Sequence, residues 1–221
     1  MKNHHTIRIA TRRDAAKLLE IYAPYVEKTA VTFEYEVPEV QEFEERIGHV
    51  LEKYPFLICE REGEIAGYAY AGVFKNRAAY RWAVETTVYV REDRKKMGIG
   101  RELYAALEKI LSLQNILNLN ACIACPEAED PWLGRDSVQF HERLGYQFAG
   151  KFHQCGYKFG RWYHMVWMEK HLGNHPDNPP AVKTFDEGCG AVRDFVKVRS
   201  GRNAANAQAR QGMAGINEDS F

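Results

Sequence analysis

The stretch Glu85-Thr-Thr-Val-Tyr-Val90-Arg-Glu-Asp-Arg-Lys95-Lys-Met-Gly98-Ile-Gly100-Arg-Glu-Leu-Tyr104 combines residue types that could do chemistry. A carboxylate, Glu85, opens a segment rich in β-branched and aromatic residues, which reads as a strand. The segment runs into a basic turn with Arg91, Arg94, Lys95, Lys96, Gly98 and Gly100. Behind it, Ile99, Leu103, Leu107, Ile110 and Leu111 recur at helical spacing. A glycine turn that opens a helix leaves backbone N–H groups free at the positive end of the helix dipole, which suits a phosphate. The spacing fits neither the dinucleotide-binding fingerprint nor the nucleoside-triphosphate loop. A surface turn with solvated charges is the alternative, and for Glu85 a strand-edge carboxylate paired with Arg81 or another cation. Cys122-Ile-Ala-Cys125 spells a single CxxC. No second CxxC or close HxxxH accompanies it, and in a strand an odd separation sends the two thiols to opposite faces. Ordinary buried cysteines are expected there, ahead of a metal or redox site.

The elements that must position these residues follow along the chain. Thr6–Ala10 reads as a short strand. Thr11 and Asp14 make a capping-box pattern, followed by Ala15, Leu18, Leu19, Tyr22 and Val26 at helical spacing. Pro24 is expected to end or kink that helix. Residues 29–38, with Phe33 and Tyr35, are either a packed connection or a cover over a substrate. Val40–Leu51 reads as a second helix. Phe56–Glu60 and Glu64–Phe74 read as a hairpin around Arg61-Glu-Gly63. Leu117–Ile123 is the next strand, 126–136 a loop, and Ser137–Gly145 a short helix closed by glycine. Tyr146–Phe152 and Trp162–Glu169 are the last strands, joined by a turn around Tyr157–Gly160. The order β-α-α-β-β-β-α-β-α-β-β describes an α/β fold, a mixed sheet with helices on both faces. A domain is expected over 1–172. Beyond it, 173–221 is polar and poorly patterned, with three prolines in Gly173–Pro180, and reads as a mostly disordered extension.

The 30 basic residues balance 30 acidic ones, so composition gives no general attraction to nucleic acid or anionic membrane. No apolar run approaches membrane-spanning length. The N-terminus lacks the apolar core of a signal peptide, which points to a cytoplasmic protein. Five cysteines, an odd number, argue against a disulfide framework.

Three stretches resemble the GCN5-related N-acetyltransferases (GNAT), and within them the phosphinothricin and methionine sulfoximine acetyltransferase-like group. The first is Lys75-Asn-Arg-Ala-Ala-Tyr-Arg-Trp-Ala-Val-Glu85-Thr-Thr-Val-Tyr-Val90. The second, Lys95-Lys-Met-Gly98-Ile-Gly100, is similar to the acetyl-CoA pyrophosphate loop, with Lys95 where the family carries Gln or Arg. The third is Ser137-Val-Gln-Phe-His141-Glu-Arg-Leu-Gly-Tyr146 with Gly156-Tyr-Lys-Phe-Gly160-Arg-Trp-Tyr-His164. The likeness spans residues 6 to about 170.

This resemblance implies the GNAT fold and transfer of acetyl from acetyl-CoA to the amino group of a small amino acid or analogue, by direct attack in a ternary complex. A free amine is mostly protonated at neutral pH and needs a base before it can attack. The resemblance gives that role to Glu85. It implies that the backbone at Val88 and Val90 serves the pantetheine arm and the oxyanion. Lys95, Lys96, Met97, Gly98, Ile99, Gly100 and Arg101 would hold the pyrophosphate, with Arg94 or Arg101 near the adenosine end. Ser137 would add a cofactor contact, although Gly134 replaces an Asn common in relatives. His141 stands where many members carry a Tyr that protonates the leaving thiolate. Lys75, Arg77 and Arg81 would meet the acceptor's carboxylate, and Phe33, Tyr35, Trp162 and His164 would wall its pocket. No metal is implied. Relatives are commonly dimers, so a homodimer is expected, with no nucleic-acid or membrane partner. The alternatives are another amine, such as a peptide N-terminus, or a non-catalytic acetyl-CoA-binding regulatory module.

Overall fold

The computed structural model describes residues 5–185. Seven strands form one sheet in the order β1-β2-β3-β4-β5-β7-β6. They are β1 (His5–Ile9), β2 (Phe56–Arg61), β3 (Glu64–Val73), β4 (Ala83–Val90), β5 (Asn118–Cys125), β6 (Gln147–Lys158) and β7 (Arg161–His171). The helices are α1 (Ala15–Lys28), α2 (Val40–Leu51), α3 (Ile99–Leu113) and α4 (Asp136–Arg143). Element order matches the sequence reading, and every strand pairing is antiparallel except β4 with β5. Among the described residues no helix is long and apolar enough to cross a membrane.

Strand alternation divides the core between the two faces. In β2, Phe56 and Ile58 pack with α1 and α2, while Leu57 and Cys59 pack with α3. Both faces of a central strand are thus apolar, because each is covered by helices. The α3 face buries Leu103, Leu107, Ile110 and Leu111 together with Ala69, Ala71 and Val84. α4 packs there too, through Val138 and Phe140. The opposite face buries Leu18, Tyr22, Val26 and Ile47 against Ile65 and Tyr68.

The structure corrects several expectations. Pro24 does not end α1, which continues to Lys28. The last carbonyls of the helix are met by side chains: Thr29 Oγ1 donates to Tyr25 O at 2.7 Å, and Lys158 Nζ to Val26 O at 2.7 Å. The missing proline N–H leaves only the carbonyl of exposed Glu20 to water. β6 runs on past Phe152 to Lys158, with irregular register at Phe148/Gly150 and Phe152/Gly156. Irregular strands escape a period-two reading because each bulge resets the alternation.

The extension expected from 173 is folded as far as it is described. Val182 and Phe185 pack into the α3-face core. Trp82 Nε1 donates to Pro180 O at 2.8 Å, and Asn115 Nδ2 to Ala181 O at 2.8 Å. Residues 186–221, on which the rest of that expectation falls, lie outside the described residues. Phe185→Ala is expected to lower stability by about 3 kcal/mol, the low end for truncating a buried phenylalanine. Denaturant unfolding with no change from the parent protein would show that residues 173–185 do not contribute to the folded core.

Candidate functional site

β4 and β5 pair over only three positions, Ala83, Val84 and Glu85 against Asn118, Leu119 and Asn120. Beyond Glu85 they part. β4 stays paired with β3 through Val90, and β5 stays paired with β7 through Cys125. The gap between them forms a cleft of about 70 Å³, walled by Thr86–Tyr89 and by Ala121–Ala124. Val31 and Leu133 reach it from one side, and Tyr104, Ser137 and His141 from the other. Backbone groups of Thr86–Tyr89 that would have faced a neighbouring strand face this cleft instead.

Glu85 marks the point of parting. Val84 belongs to the α3-face core and Tyr89 packs with α1, so alternation sets Glu85 on the α1–α2 face. Burial raises its carboxyl above the ordinary glutamate value, and the charge of Lys75 works against that rise. The Lys75 ammonium is itself held 5.2 Å from the Phe74 ring and 5.3 Å from the Trp167 ring. Cys122 lies near the same carboxylate, and burial with the Glu85 charge pushes its thiol up to about 12. Cys59, Cys122, Cys125 and Cys155 are free thiols. Among the described residues no group of three or more His, Cys, Asp or Glu is placed to hold a metal ion.

The α3 side of the cleft holds a network of buried hydroxyls. His141 Nδ1 donates to Ser137 O at 2.7 Å, which leaves Nε2 of the neutral ring as an acceptor. Burial lowers the His141 pKa, so the ring is neutral at pH 7. The Tyr104 hydroxyl then donates to His141 Nε2 at 2.9 Å. Thr86 Oγ1 donates to Asn120 O at 3.2 Å and receives the Tyr146 hydroxyl at 3.0 Å. His141 is thereby saturated and presents no free N–H to the cleft. Tyr104, Thr86 and Tyr146 were not singled out in the sequence. Tyr104 shares the apolar stripe of α3, and the only signal was a phenol that needs a partner when buried.

At the turn, Lys96 has φ +62° and Gly98 φ +85°. A side chain at Gly98 would be strained by that backbone. Alternating left- and right-handed residues aim successive N–H groups into one concavity, which suits an anion. The first α3 bond runs from Glu102 N to Gly98 O, so the amides of Ile99, Gly100 and Arg101 precede the ladder. Met97, Lys96 and Arg101 are exposed, whereas the Ile99 side chain is buried and offers only backbone. Lys95 Nζ lies 4.8 Å from the Tyr25 ring, and Tyr25 donates to Val90 O at 2.6 Å. Arg94 is held by Glu62 at 3.1 Å, so it is already engaged.

Other expected residues lie elsewhere. His164 is 3% exposed and accepts the Gln154 N–H at 2.9 Å, so it secures a strand irregularity and walls no pocket. Trp162 and Tyr35 are exposed, the latter donating to Tyr157 O at 2.5 Å. Phe33 packs on Tyr163 and against Gly156, where any Cβ would overlap its ring. Arg77 and Arg81 line a separate hollow, and Arg81 Nε donates to Ala78 O at 3.0 Å.

Residues 7–167 match the family model described as "Acetyltransferase (GNAT) domain". The chain is 38% identical over 164 residues to the phosphinothricin N-acetyltransferase of Streptomyces viridochromogenes, covering 74% of this chain and 86% of that one. It is 29% identical over 174 residues to the L-methionine sulfoximine/L-methionine sulfone acetyltransferase of Salmonella typhimurium, covering 77% and 96%. A Sinorhizobium meliloti GNAT superfamily phosphinothricin acetyltransferase, solved in complex with AcCoA, superposes with a TM-score of 0.73 at 28% identity, over 83% of this chain and 96% of that one. The parted strands, the turn that opens α3 and a family match running through both place the domain without ambiguity: the chain belongs to the GNAT acetyltransferase family.

Proposed function

We propose that this protein transfers acetyl from acetyl-CoA to the amino group of a small amino acid or analogue, of the phosphinothricin or methionine sulfoximine type. The observation that carries this reading is Glu85, a carboxylate with a raised pKa at the point where β4 leaves β5. The named activities of the relatives support the same substrate class. Acetyl-CoA would lie along the cleft with its pyrophosphate on the amides of 96–101. Glu85 removes a proton from the bound ammonium, and the amine attacks the thioester carbonyl directly. A Cys122 acetyl-enzyme is disfavoured, because a thiol pushed up to about 12 is almost wholly protonated at pH 7. Lys75 meets the acceptor's carboxylate. Arg77 and Arg81 do not share that task, since they line a hollow on the other face.

Glu85→Gln is expected to lower kcat at pH 7 by about 100-fold or more, the usual worth of a general base. The deficit should narrow toward pH 9, because a free α-amine has a pKa of about 8 and then loses its proton unaided. Lys75→Met removes a cation that holds the Glu85 pKa down, so the acid limb of kcat/KM should move to higher pH. An acid limb that stays in place in Lys75→Met, or a Glu85→Gln deficit constant with pH, would assign the base elsewhere.

For the departing sulfur, Tyr104 is the cleft hydroxyl nearest to hand, and His141 orients it by accepting its proton at 2.9 Å. Tyr104→Phe and His141→Ala should each lower kcat by about tenfold or more, with little added loss in the double variant. Fully additive losses in steady-state kinetics would separate the two roles.

The protein acts as a homodimer in this reading. Support comes from β6, an edge strand of the sheet, and from exposed Phe148, Phe152, Tyr157 and Trp162 on the β6–β7 hairpin. Light scattering on a sized column should give twice the chain mass, and Phe148→Asp with Phe152→Asp should give a monomer. A monomeric parent protein would remove this part of the proposal.

A further inference from the structure

A second hollow, of about 320 Å³, opens at the end of β3 on the α3 face. Its volume falls within the range of small-ligand pockets. It is walled by the turn after α2, the end of β3, the β3–β4 connection and residues 182–184. Val73 lines it and stands on the same face as Ala69 and Ala71, whereas Glu85 pairs with Gly72 and points to the opposite face. The hollow is therefore not the acceptor side of the cleft.

Charge distinguishes this hollow. Lys53, Lys75, Arg77, Arg81 and Lys183 line it, against one carboxylate, Glu52. Elsewhere the surface cations are paired: Arg8 with Asp14, Arg46 with Glu34, Arg91 with Glu64, Arg94 with Glu62, Arg161 with Asp130 and Lys170 with Glu108. Among the described residues, none of the five cations of the hollow has such a partner within 4.0 Å. Gathering five unpaired cations around one concavity is unfavourable unless an anion offsets their repulsion.

The walls are also fixed in place. Gln114 is fully buried, and its Nε2 donates to Lys53 O at 2.9 Å and to Lys183 O at 3.2 Å. Lys183 N–H returns a bond to Gln114 O at 3.0 Å. One buried amide therefore holds the backbones of two cationic walls in register. The 182–184 wall lies beyond residues 7–167, the part of the chain that the family model matches.

We propose that this hollow is a binding site for a compact anion carrying at least two negative charges, such as a phosphorylated or polycarboxylate small molecule. Arg77 and Arg81 offer guanidinium donors for planar, two-point contact, and the lysines supply point charges. The site is independent of acetyl transfer, so its test does not rely on activity.

Calorimetric titration of the full chain with citrate and with inorganic diphosphate, at matched ionic strength, tests the proposal. The chain should bind each at one saturable site in this hollow. Lys53→Glu with Lys183→Glu should weaken binding by at least about tenfold, since two favourable charge contacts become repulsive. The milder Lys53→Gln with Lys183→Gln pair should give an intermediate loss and serves where charge reversal perturbs folding. Lys96→Glu, at the α3 turn, should leave this binding unchanged. Absence of saturable binding, equal affinity in both Lys53/Lys183 pairs, or loss confined to Lys96→Glu would overturn the proposal.

Discussion

The cleft depends on how β4 and β5 are kept apart once they have begun to pair. Three rungs of parallel ladder end at Glu85 and Asn120, and the next carbonyl has to be satisfied some other way. Thr86 does this with its side chain, which donates to Asn120 O, while Asn120 Nδ2 donates back to Val84 O at 3.1 Å. The hydroxyls of Tyr104 and Tyr146 close on Thr86 from the α3 face. With the partner strands β3 and β7 holding the outer edges, neither strand can slide across the gap. The backbone facing the cleft is therefore preorganised. A ligand entering it meets polar groups whose orientation has already been fixed by folding.

The other side of the cleft is fixed by contacts of a different kind. The segment between α1 and α2 has no regular structure, yet Lys158 Nζ ties it down by donating to Thr32 O at 2.9 Å as well as to the end of α1. Tyr22 and Thr32 share a hydroxyl bond of 2.9 Å, and Phe33 fills the space left by Gly156. Lys158 is buried, and desolvation lowers its pKa, but both of its acceptors are carbonyls at or beyond a helix C-terminus, where a cation is favoured. A segment that looks like a loose cover in sequence is thus part of the frame.

The fold was legible because periodicity survives wherever an element packs on one or both faces. α3 shows its stripe in Ile99, Leu103, Leu107, Ile110 and Leu111, all of them buried. The hairpin turn and the glycine-bearing turn before α3 were legible for the same local reasons. Legibility failed where a side chain's partner is distant in sequence. Thr86 and Tyr104 look like ordinary strand and core residues, and His164 looks available, until Asn120, His141 and Gln154 are brought beside them. The 174–185 segment failed differently. Its prolines and polar residues carry no period, and it is held by single bonds from Trp82, Gln114 and Asn115 rather than by a ladder.

The basic cluster before α3 shows why residue type alone cannot assign a cation to a ligand. Arg91 spans Asp93 and Glu64, each at 2.8 Å, and Arg94 reaches Glu62, so both secure the β4–α3 turn to the β2–β3 hairpin. Exposed pairs of this kind contribute little to stability singly, roughly 0.2–1 kcal/mol each. As a network they restrict the turn that carries Lys96 at φ +62°, a backbone conformation that costs a non-glycine residue about 1 kcal/mol or more. The arginines thus help hold the amides of the turn in their concave arrangement, and direct charge at that surface is left to Lys95, Lys96 and Arg101. An anion there is gripped first by backbone whose geometry the arginines maintain, and only second by mobile side chains.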